Sequence, residues 1–195
     1  MRQSSDVIDR RARLLDAAIQ VIGTKGLAAV THRSVQEAAG VPHGAVTYYF
    51  GTRSDLVVAA VERLAELDEK RLTDLMHELM LVLASRSPEP DYDSLQQALV
   101  EWIDSDPIHQ IARYEVLLEG TRNPAVRAAV SSGAAAMWRA VRPIAVAAGS
   151  DDPDHDARII VALLDGLIFD RFTRAPDDLT PLRHGLERVL NTWHL

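Results

Sequence analysis

The stretch from residue 31 to residue 55, THRSVQEAAGVPHGAVTYYFGTRSD, decides the fold of this 195-residue chain. It holds two short helical patterns that meet at residues 39–41. Gly40 favours the left-handed conformation that ends a helix, and Thr31 can cap the free amides at the start of the first pattern. Two short helices joined by such a tight turn predict a helix-turn-helix.

Apolar residues recur at helical spacing in both patterns, so each helix has one side that packs inward. Pro42 suits the first position of the second helix, because no amide donor is needed there. The residues predicted to point inward are Val35, Ala38, Ala39, Val46 and Phe50.

The outer side of the second helix carries hydrogen-bond donors, aromatic rings and one glycine. Such groups suit a DNA surface, because donors reach phosphates or base edges and glycine permits a close backbone approach. These outward residues are His43, Gly44, Thr47, Tyr48 and Tyr49.

Helical patterns continue on both sides of this segment. Residues 7–24 form an amphipathic helix whose apolar stripe is Leu15, Ala18, Ile19 and Ile22. A capping box at residues 52–55 opens a helix that runs to about residue 86, roughly 45 Å, before a proline-rich linker at 85–91. Further helices are predicted at 93–105, 107–120, 123–148, 154–175 and 178–193, with no strand pattern.

The first sixty or so residues resemble the tetracycline-repressor (TetR) family of bacterial transcription regulators. The resemblance is carried by residues 15–22, Gly26, Thr31, residues 38–41, residues 44–50 and Arg53. Two positions depart from the usual pattern, since Thr47 stands where the family often has Tyr and Tyr49 where it often has His. Both side chains can still donate to phosphate oxygens, so we expect DNA binding but infer no operator sequence.

The resemblance implies an all-α fold. Residues 1–55 would form an N-terminal three-helix DNA-binding domain with the helix-turn-helix. Residues 56–195 would form a long connecting helix and a C-terminal helical ligand-binding and dimerisation domain. The family dimerises through its last two helices, here residues 154–193, and such a dimer binds a palindromic operator.

Within that frame each candidate residue has an expected role on DNA. Arg33 and His43 are the candidates for base edges. The candidates for phosphates are Thr31, Thr47, Tyr48, Tyr49 and Arg53, while Gly44 allows close approach. One or two of Arg10, Arg11 and Arg13 are also expected at the backbone. The alternatives are a plain surface charge for Arg33 and packing between helices for Tyr48.

Charge is divided unevenly along the chain. The net charge is −7, yet residues 1–55 hold seven Lys and Arg against five acids, which leaves −9 on the remaining residues. An acidic body with a basic end suits a protein that meets phosphate at one end only. The absence of cysteine excludes disulfides, thiolate catalysis and zinc ribbons. No apolar run approaches the ~18 residues of a membrane span, and no signal peptide is visible, so we expect a cytoplasmic protein without membrane association.

A regulator of this kind must take its signal directly, and the resemblance implies a small-molecule pocket in the C-terminal domain. Aromatic residues with a few polar groups are typical of such pockets. Ordinary core or surface placement is the alternative for each of them. The candidates are Trp102, His109, Arg113, Tyr114, Trp138, Asp165 and Phe169.

No catalytic or metal-binding pattern is complete. His77-Glu78 lacks the second histidine of a zinc-protease helix, and the acidic run at residues 151–156 suits the start of a helix. We therefore expect no enzyme activity, cofactor or metal. The leading hypothesis is a homodimeric repressor of transcription that a ligand releases from DNA.

Two alternatives remain open. One is an all-α ligand-binding or enzymatic domain whose N-terminal helices do not bind DNA. The other is a DNA-binding protein without a small ligand, whose pocket is closed by Trp102 and Trp138.

Overall fold

The computed structural model describes residues 2–42, 44–83, 91–147 and 149–192. Over these residues the fold is all-α, as predicted, with one 3-10 turn and no strand. The elements are α1 (Arg2–Lys25), the turn Leu27–Ala29, α2 (His32–Ala39), α3 (Ala45–Phe50), α4 (Arg53–Leu83), α5 (Tyr92–Asp104), α6 (Pro107–Gly120), α7 (Pro124–Ala147), α8 (Pro153–Thr173) and α9 (Thr180–Thr192).

The predicted helix boundaries agree closely except at the start of α1, which begins at Arg2 and not at residue 7, and at α3. This helix begins at Ala45, so the prediction that Pro42 occupies its first position is wrong. Gly44 precedes the helix in a left-handed conformation with φ of 90°, which a right-handed helix cannot include. Of the predicted linker at 85–91, residues 85–90 lie outside the described residues. Asp91 caps α5 by accepting a hydrogen bond from the Ser94 amide.

The chain folds into two compact units. The first unit consists of Met1–Leu67 and Asp106–Ala134, and the second of Asp68–Ser105 and Ala135–Leu195. The first unit therefore contains α6 as well as the helix-turn-helix. The functional domains predicted at 1–55 and 56–195 stay a prediction.

The core of the first unit is built on α1. Its predicted stripe is confirmed, because Leu15, Ala18, Ile19 and Ile22 are all buried. Val35, Val46 and Phe50 bring α2 and α3 onto the same core. Ala38 is exposed, so its predicted place inside is wrong: the eight-residue α2 is covered on one narrow side only, where Val35 is fully buried.

Helix α6 packs on α1 at a point that only glycine allows. A Cβ atom added at Gly23 would overlap the backbone carbonyl of Ile108 and lie 2.6 Å from its Cγ2 atom. Neither group can move away without displacing α6, because one is backbone and the other is part of a short, stiff side chain. The two helices therefore approach as closely as their backbones permit.

We expect Gly23→Ala to destabilise the protein by about 1–3 kcal/mol, because the new methyl group must push α6 away from α1. Gly120→Ala is the matched control, since a Cβ there would make only ordinary contacts, the nearest at 3.6 Å. Urea unfolding of both variants measures the difference. Equal stability of Gly23→Ala and wild type would contradict the close approach.

The second unit encloses a small apolar cavity of about 40 Å³. Residues of α4, α5, α7, α8 and α9 line it, among them Leu75, Leu99, Val141, Ile160 and Leu186. Polar contacts tie its helices together at the surface: Arg171 pairs with Asp104 at 2.7 Å, and Arg183 pairs with Asp93. Within the described residues, no helix is long and apolar enough to cross a membrane.

Candidate nucleic-acid interface

The start of α2 is held by a reciprocal cap. The Thr31 hydroxyl accepts from the Ser34 amide at 3.0 Å, and the Ser34 hydroxyl accepts from the Thr31 amide at 2.9 Å. At the other end Gly40 has φ of 63°, the left-handed conformation that the sequence predicts. The predicted cap at the start of α2 and the predicted left-handed glycine at its end are therefore confirmed, and they fix where α3 can start.

Helix α3 has the inner and outer sides that its spacing predicts. Val46 and Phe50 are buried, while Thr47 and Tyr48 are exposed, Tyr48 to 82%. Tyr49 is half-buried and packs against the core, so the prediction that it points fully outward is wrong. Its position follows Tyr48 by one residue on a helix, which turns it about 100° toward the protein.

His43 lies outside the described residues, so its expected contact with a base edge stays a prediction. Gly44 is exposed, and nothing lies within 4 Å of the position that a Cβ atom would take. The close approach of DNA expected at Gly44 stays a prediction. A side chain at this position would be strained by the positive φ in any case.

His32 was missed by the sequence analysis. Its Nδ1 atom lies 3.2 Å from the Thr47 hydroxyl and links the first turn of α2 to the outer side of α3. The two residues are fifteen positions apart, and no local pattern pairs them. Thr47 therefore reaches the outer surface with one hydrogen bond already made inside the motif.

Arg33 stands on the exposed side of α2 and pairs with Glu37 one turn later at 2.8 Å. The hydrogen bond and the negative charge of Glu37 both raise the pKa of Arg33. The two side chains are 83% and 60% exposed, and such an ion pair contributes little to stability. The Arg33 guanidinium can therefore leave Glu37 at small cost, and its contact with a base edge stays a prediction.

Arg53 makes contacts that the sequence analysis did not anticipate. Its Nε donates to the Val30 carbonyl at 2.7 Å, and its Nη2 donates to the Leu27 carbonyl at 3.0 Å. The guanidinium therefore fixes the Leu27–Ala29 turn that leads into α2. A phosphate contact by Arg53 stays a prediction.

The capping box ahead of α4 is confirmed. The Thr52 hydroxyl accepts from the Asp55 amide at 3.2 Å, and the Asp55 carboxylate accepts from the Thr52 amide at 3.1 Å. These hydrogen bonds, led by the one from the Thr52 hydroxyl, lower the pKa of Asp55. Asp55 therefore stays ionised at neutral pH and holds the start of α4 beside Arg53.

The arginines at the start of α1 differ in their surroundings. Arg11 lies over the ring of Phe50, with its guanidinium carbon 5.4 Å from the ring centre. Arg10, Arg11 and Arg13 are all exposed. Arg11 thus places a positive charge beside Phe50. The phosphate contact expected of one or two of these arginines stays a prediction.

Glu115 of α6 holds the same turn that Arg53 holds. Its Oε2 atom accepts from the Leu27 amide at 3.2 Å. Beside this bond lies an open cleft of about 480 Å³ that includes Leu27, Arg53, Glu115 and Arg122 in its lining. The Leu27 amide is thus bound by Glu115 of α6, and the carbonyls of Leu27 and Val30 are bound by Arg53 of α4.

We expect Glu115→Ala to destabilise the protein by about 0.5–1.5 kcal/mol and to speed hydrogen exchange at the Leu27 amide, because that amide loses its acceptor. Glu115→Gln is the matched control, since it keeps a carbonyl oxygen at the same position. Amide exchange followed by NMR measures both effects. An unchanged exchange rate at Leu27 in Glu115→Ala would show that the bond is not formed in solution.

The seven candidates for ligand binding fall into both units. His109, Arg113 and Tyr114 lie on α6 in the first unit, where His109 and Arg113 are buried. The other four belong to the second unit, and none of them lines its apolar cavity. These four are Trp102, Trp138, Asp165 and Phe169.

Trp102 and Trp138 each lie against an arginine. Trp102 donates through Nε1 to the Arg71 carbonyl at 3.1 Å and borders a surface cleft of about 260 Å³. The guanidinium carbon of Arg158 stands 4.3 Å from the ring centre of Trp138. Asp165 is half-buried and Phe169 is 39% exposed. A shared ligand site for these residues stays a prediction.

Gln110 was also missed. It lies on α6 between His109 and Arg113 and is completely buried. A glutamine on a helix gives no sequence signal of burial, because glutamine is mostly found at the surface. The acidic run at 151–156 serves as predicted, since Asp152 caps α8 by accepting from the His155 amide at 3.2 Å.

The packed motif with an exposed outer helix defines a helix-turn-helix transcription regulator, and comparison with known proteins gives the family. A model described as bacterial regulatory proteins of the tetR family matches residues 14–60. A model described as the tetracyclin repressor-like C-terminal domain matches residues 86–193, more than half of the chain. The chain belongs to the TetR family, whose members are transcription factors.

Similar proteins agree with this family. The HTH-type transcriptional regulator BetI of Rhizobium meliloti is 40% identical over 55 residues, which are 28% of this chain. The match covers 27% of BetI, so the chain aligns with about a quarter of the length of the curated relatives it matches.

Solved structures match over nearly the whole chain. The multidrug binding protein EbrR, complexed with ethidium, is 34% identical with a TM-score of 0.65, over 92% of this chain and 98% of that one. A TetR-family member from Streptomyces coelicolor A3 is 34% identical with a TM-score of 0.66, over 92% and 97%.

Proposed function

We propose that this regulator is a cytoplasmic, non-enzymatic repressor that binds a palindromic operator as a homodimer and is released by a small-molecule effector. The single observation that carries the DNA-binding part is the two-sided α3 helix. Val46 and Phe50 anchor it in the core, while Thr47 and Tyr48 stand exposed on the other side. A helix held in this way can enter the major groove without losing its fold.

Contacts to bases and to phosphates would come from different residues. Arg33 has a weak, exposed ion pair and the donor geometry that favours guanine. Tyr48 has an exposed hydroxyl that can donate to a phosphate, and Thr31, Thr47 and Tyr49 supply further donors around it. Thr47 and Tyr48 are neutral, so the salt dependence of binding would come from the arginines.

Selection of bound DNA from a random pool tests this function, and we expect one palindrome with half-sites about 10 base pairs apart. Arg33→Ala should lose about 1–3 kcal/mol of affinity and relax the preference at one base pair of each half-site. Tyr48→Phe should weaken all sequences equally, because it removes a phosphate contact. Titrations of labelled DNA at two salt concentrations measure both.

Arg139→Ala is the control for this experiment. Arg139 is an exposed arginine on α7, in the second unit, so its loss removes the same charge away from the motif. Failure of a folded wild-type sample to enrich any palindrome would show that the N-terminal helices have no DNA-reading function.

An exposed apolar stripe on α8 supports the proposed dimer. Ile159, Leu163 and Phe169 are 48%, 36% and 39% exposed, and they recur at helical spacing. Nothing lies within 4 Å of a Cβ atom placed at Gly166, which stands in the same stripe. Apolar residues grouped in this way mark surfaces that another protein covers. We propose that residues 154–193 of a second copy cover it.

Leu163→Asp should shift the protein from dimer to monomer, because it places a charge in an apolar interface. Operator affinity should fall with it, since each half-site is then bound separately. Leu81→Asp is the control, as Leu81 is 61% exposed on α4, outside the proposed interface. Sedimentation velocity measures the outcome, and a dimer that persists in Leu163→Asp would rule out this side of α8.

The effector part of the proposal is supported by the relatives and by α6. EbrR has been solved with imidazole, proflavin and ethidium, which are small nitrogen-containing ring compounds. In this chain, α6 carries three of the ligand candidates and also the carboxylate that holds the Leu27–Ala29 turn. A ligand that moves α6 would therefore act on the helix-turn-helix through Glu115.

A further inference from the structure

The side-chain amide of Gln110 is buried without hydrogen bonds. Its side chain is 0% exposed, and in the part of the chain that the structure describes neither Nε2 nor Oε1 has a partner. Burial removes the hydrogen bonds that an amide makes to water, so buried amide groups are almost always partnered inside the protein. A fully buried amide with both groups unpaired therefore raises the energy of this conformation.

The position of Gln110 on α6 separates it from the contact with α1. Ile108 meets Gly23 of α1, and residues on a helix are turned by about 100° each, so Gln110 points about 200° away from Ile108. Glu115, further along the same helix, holds the Leu27 amide. One side of α6 therefore contacts α1 and the Leu27–Ala29 turn, and another side carries the unpaired side-chain amide of Gln110.

We infer that the side-chain amide of Gln110 hydrogen-bonds to the effector. The effector then presents a hydrogen-bond acceptor next to a donor on one edge, as lactams, imides and primary carboxamides do. The inference rests on the proposed function of a ligand-released regulator. The Gln110 side-chain amide offers an N–H donor and a carbonyl acceptor side by side. A ligand with an acceptor facing the N–H and a donor facing the carbonyl satisfies both groups. A carboxylate offers only acceptors and an ammonium only donors, and each would leave one atom of Gln110 unpaired.

The complete burial of Gln110 gives this contact a regulatory consequence. A ligand reaches the amide only when the side chains that cover it move apart. With the ligand bound, the conformation in which these side chains have moved apart gains two hydrogen bonds that the closed conformation lacks. The ligand therefore shifts the equilibrium between the two conformations toward the open one. Because α6 also carries Glu115, movement of this helix changes the support of the Leu27–Ala29 turn.

The first test asks whether the amide is unpaired in the ligand-free protein. Gln110→Met keeps the size of the side chain and removes both polar groups, so we expect the melting temperature to rise by about 2–4 °C or more. Gln36→Met is the control, because Gln36 is also buried, at 6% exposure, but has no buried side-chain polar atom without a partner among the described residues. We expect no rise there. A melting temperature of Gln110→Met at or below that of wild type would overturn the inference, since the amide would then have partners in solution.

The second test asks which ligand edge Gln110 accepts. The probes are 2-pyrrolidone, which has a carbonyl acceptor beside an N–H donor, and cyclopentanone, which has the same ring size and only the acceptor. In ¹H–¹⁵N NMR spectra we expect 2-pyrrolidone to shift the Gln110 side-chain signals and to bind roughly tenfold more tightly, as one added hydrogen bond implies. The preference should disappear in Gln110→Met. Equal responses to both probes, or none to either, would overturn the inference.

Operator binding is measured separately on the wild-type protein. A protein that distinguishes the two probes but enriches no palindrome would keep the Gln110 site and lose the proposed DNA function. A protein that binds its operator but does not distinguish the probes would keep the DNA function and lose this effector class.

Discussion

The arrangement of the helix-turn-helix depends on how the three-residue turn Leu27–Ala29, which precedes α2, is held in place. A short turn leaves backbone amides and carbonyls without helical partners, and each must find one elsewhere. Here the Leu27 amide donates to Glu115, and the carbonyls of Leu27 and Val30 accept from Arg53. The Ala29 carbonyl accepts from the Ser34 hydroxyl at 2.8 Å. Side chains from α2, α4 and α6 therefore meet at one turn, and the direction of α2 follows from it.

Helix α3 depends on its surroundings rather than on its own stability. Six residues are far too few for a helix to persist alone in water. Burial of Val46 and Phe50, the Arg11 guanidinium over the Phe50 ring and the hydrogen bond between His32 and Thr47 hold it in place. On the outer side, Thr47 takes part in one of these interactions, while Tyr48 takes part in none of them and stays exposed.

Helix α6 is the element in which DNA reading and ligand sensing could be coupled. It packs closely against α1 at Gly23, and its Glu115 accepts a hydrogen bond from the Leu27 amide. It also carries Gln110, whose side-chain amide is unpaired. Coupling between two sites needs an element with two arrangements that both sites bias. The unpaired amide provides a physical reason for a second arrangement, because this conformation leaves two buried polar atoms unsatisfied.

The sequence by itself determined what depends on near neighbours. The caps at Thr31 and Thr52, the left-handed Gly40, the stripe of α1 and the limits of α6 at residues 107–120 all follow from spacings of a few residues. The tertiary structure decided what depends on distant ones. Arg53 turns to carbonyls more than twenty positions away, and Glu115 reaches an amide 88 positions away. Neither those partners nor the burial of Gln110 leaves a periodic trace in the sequence, because each is set by where two helices cross and not by the residues beside it.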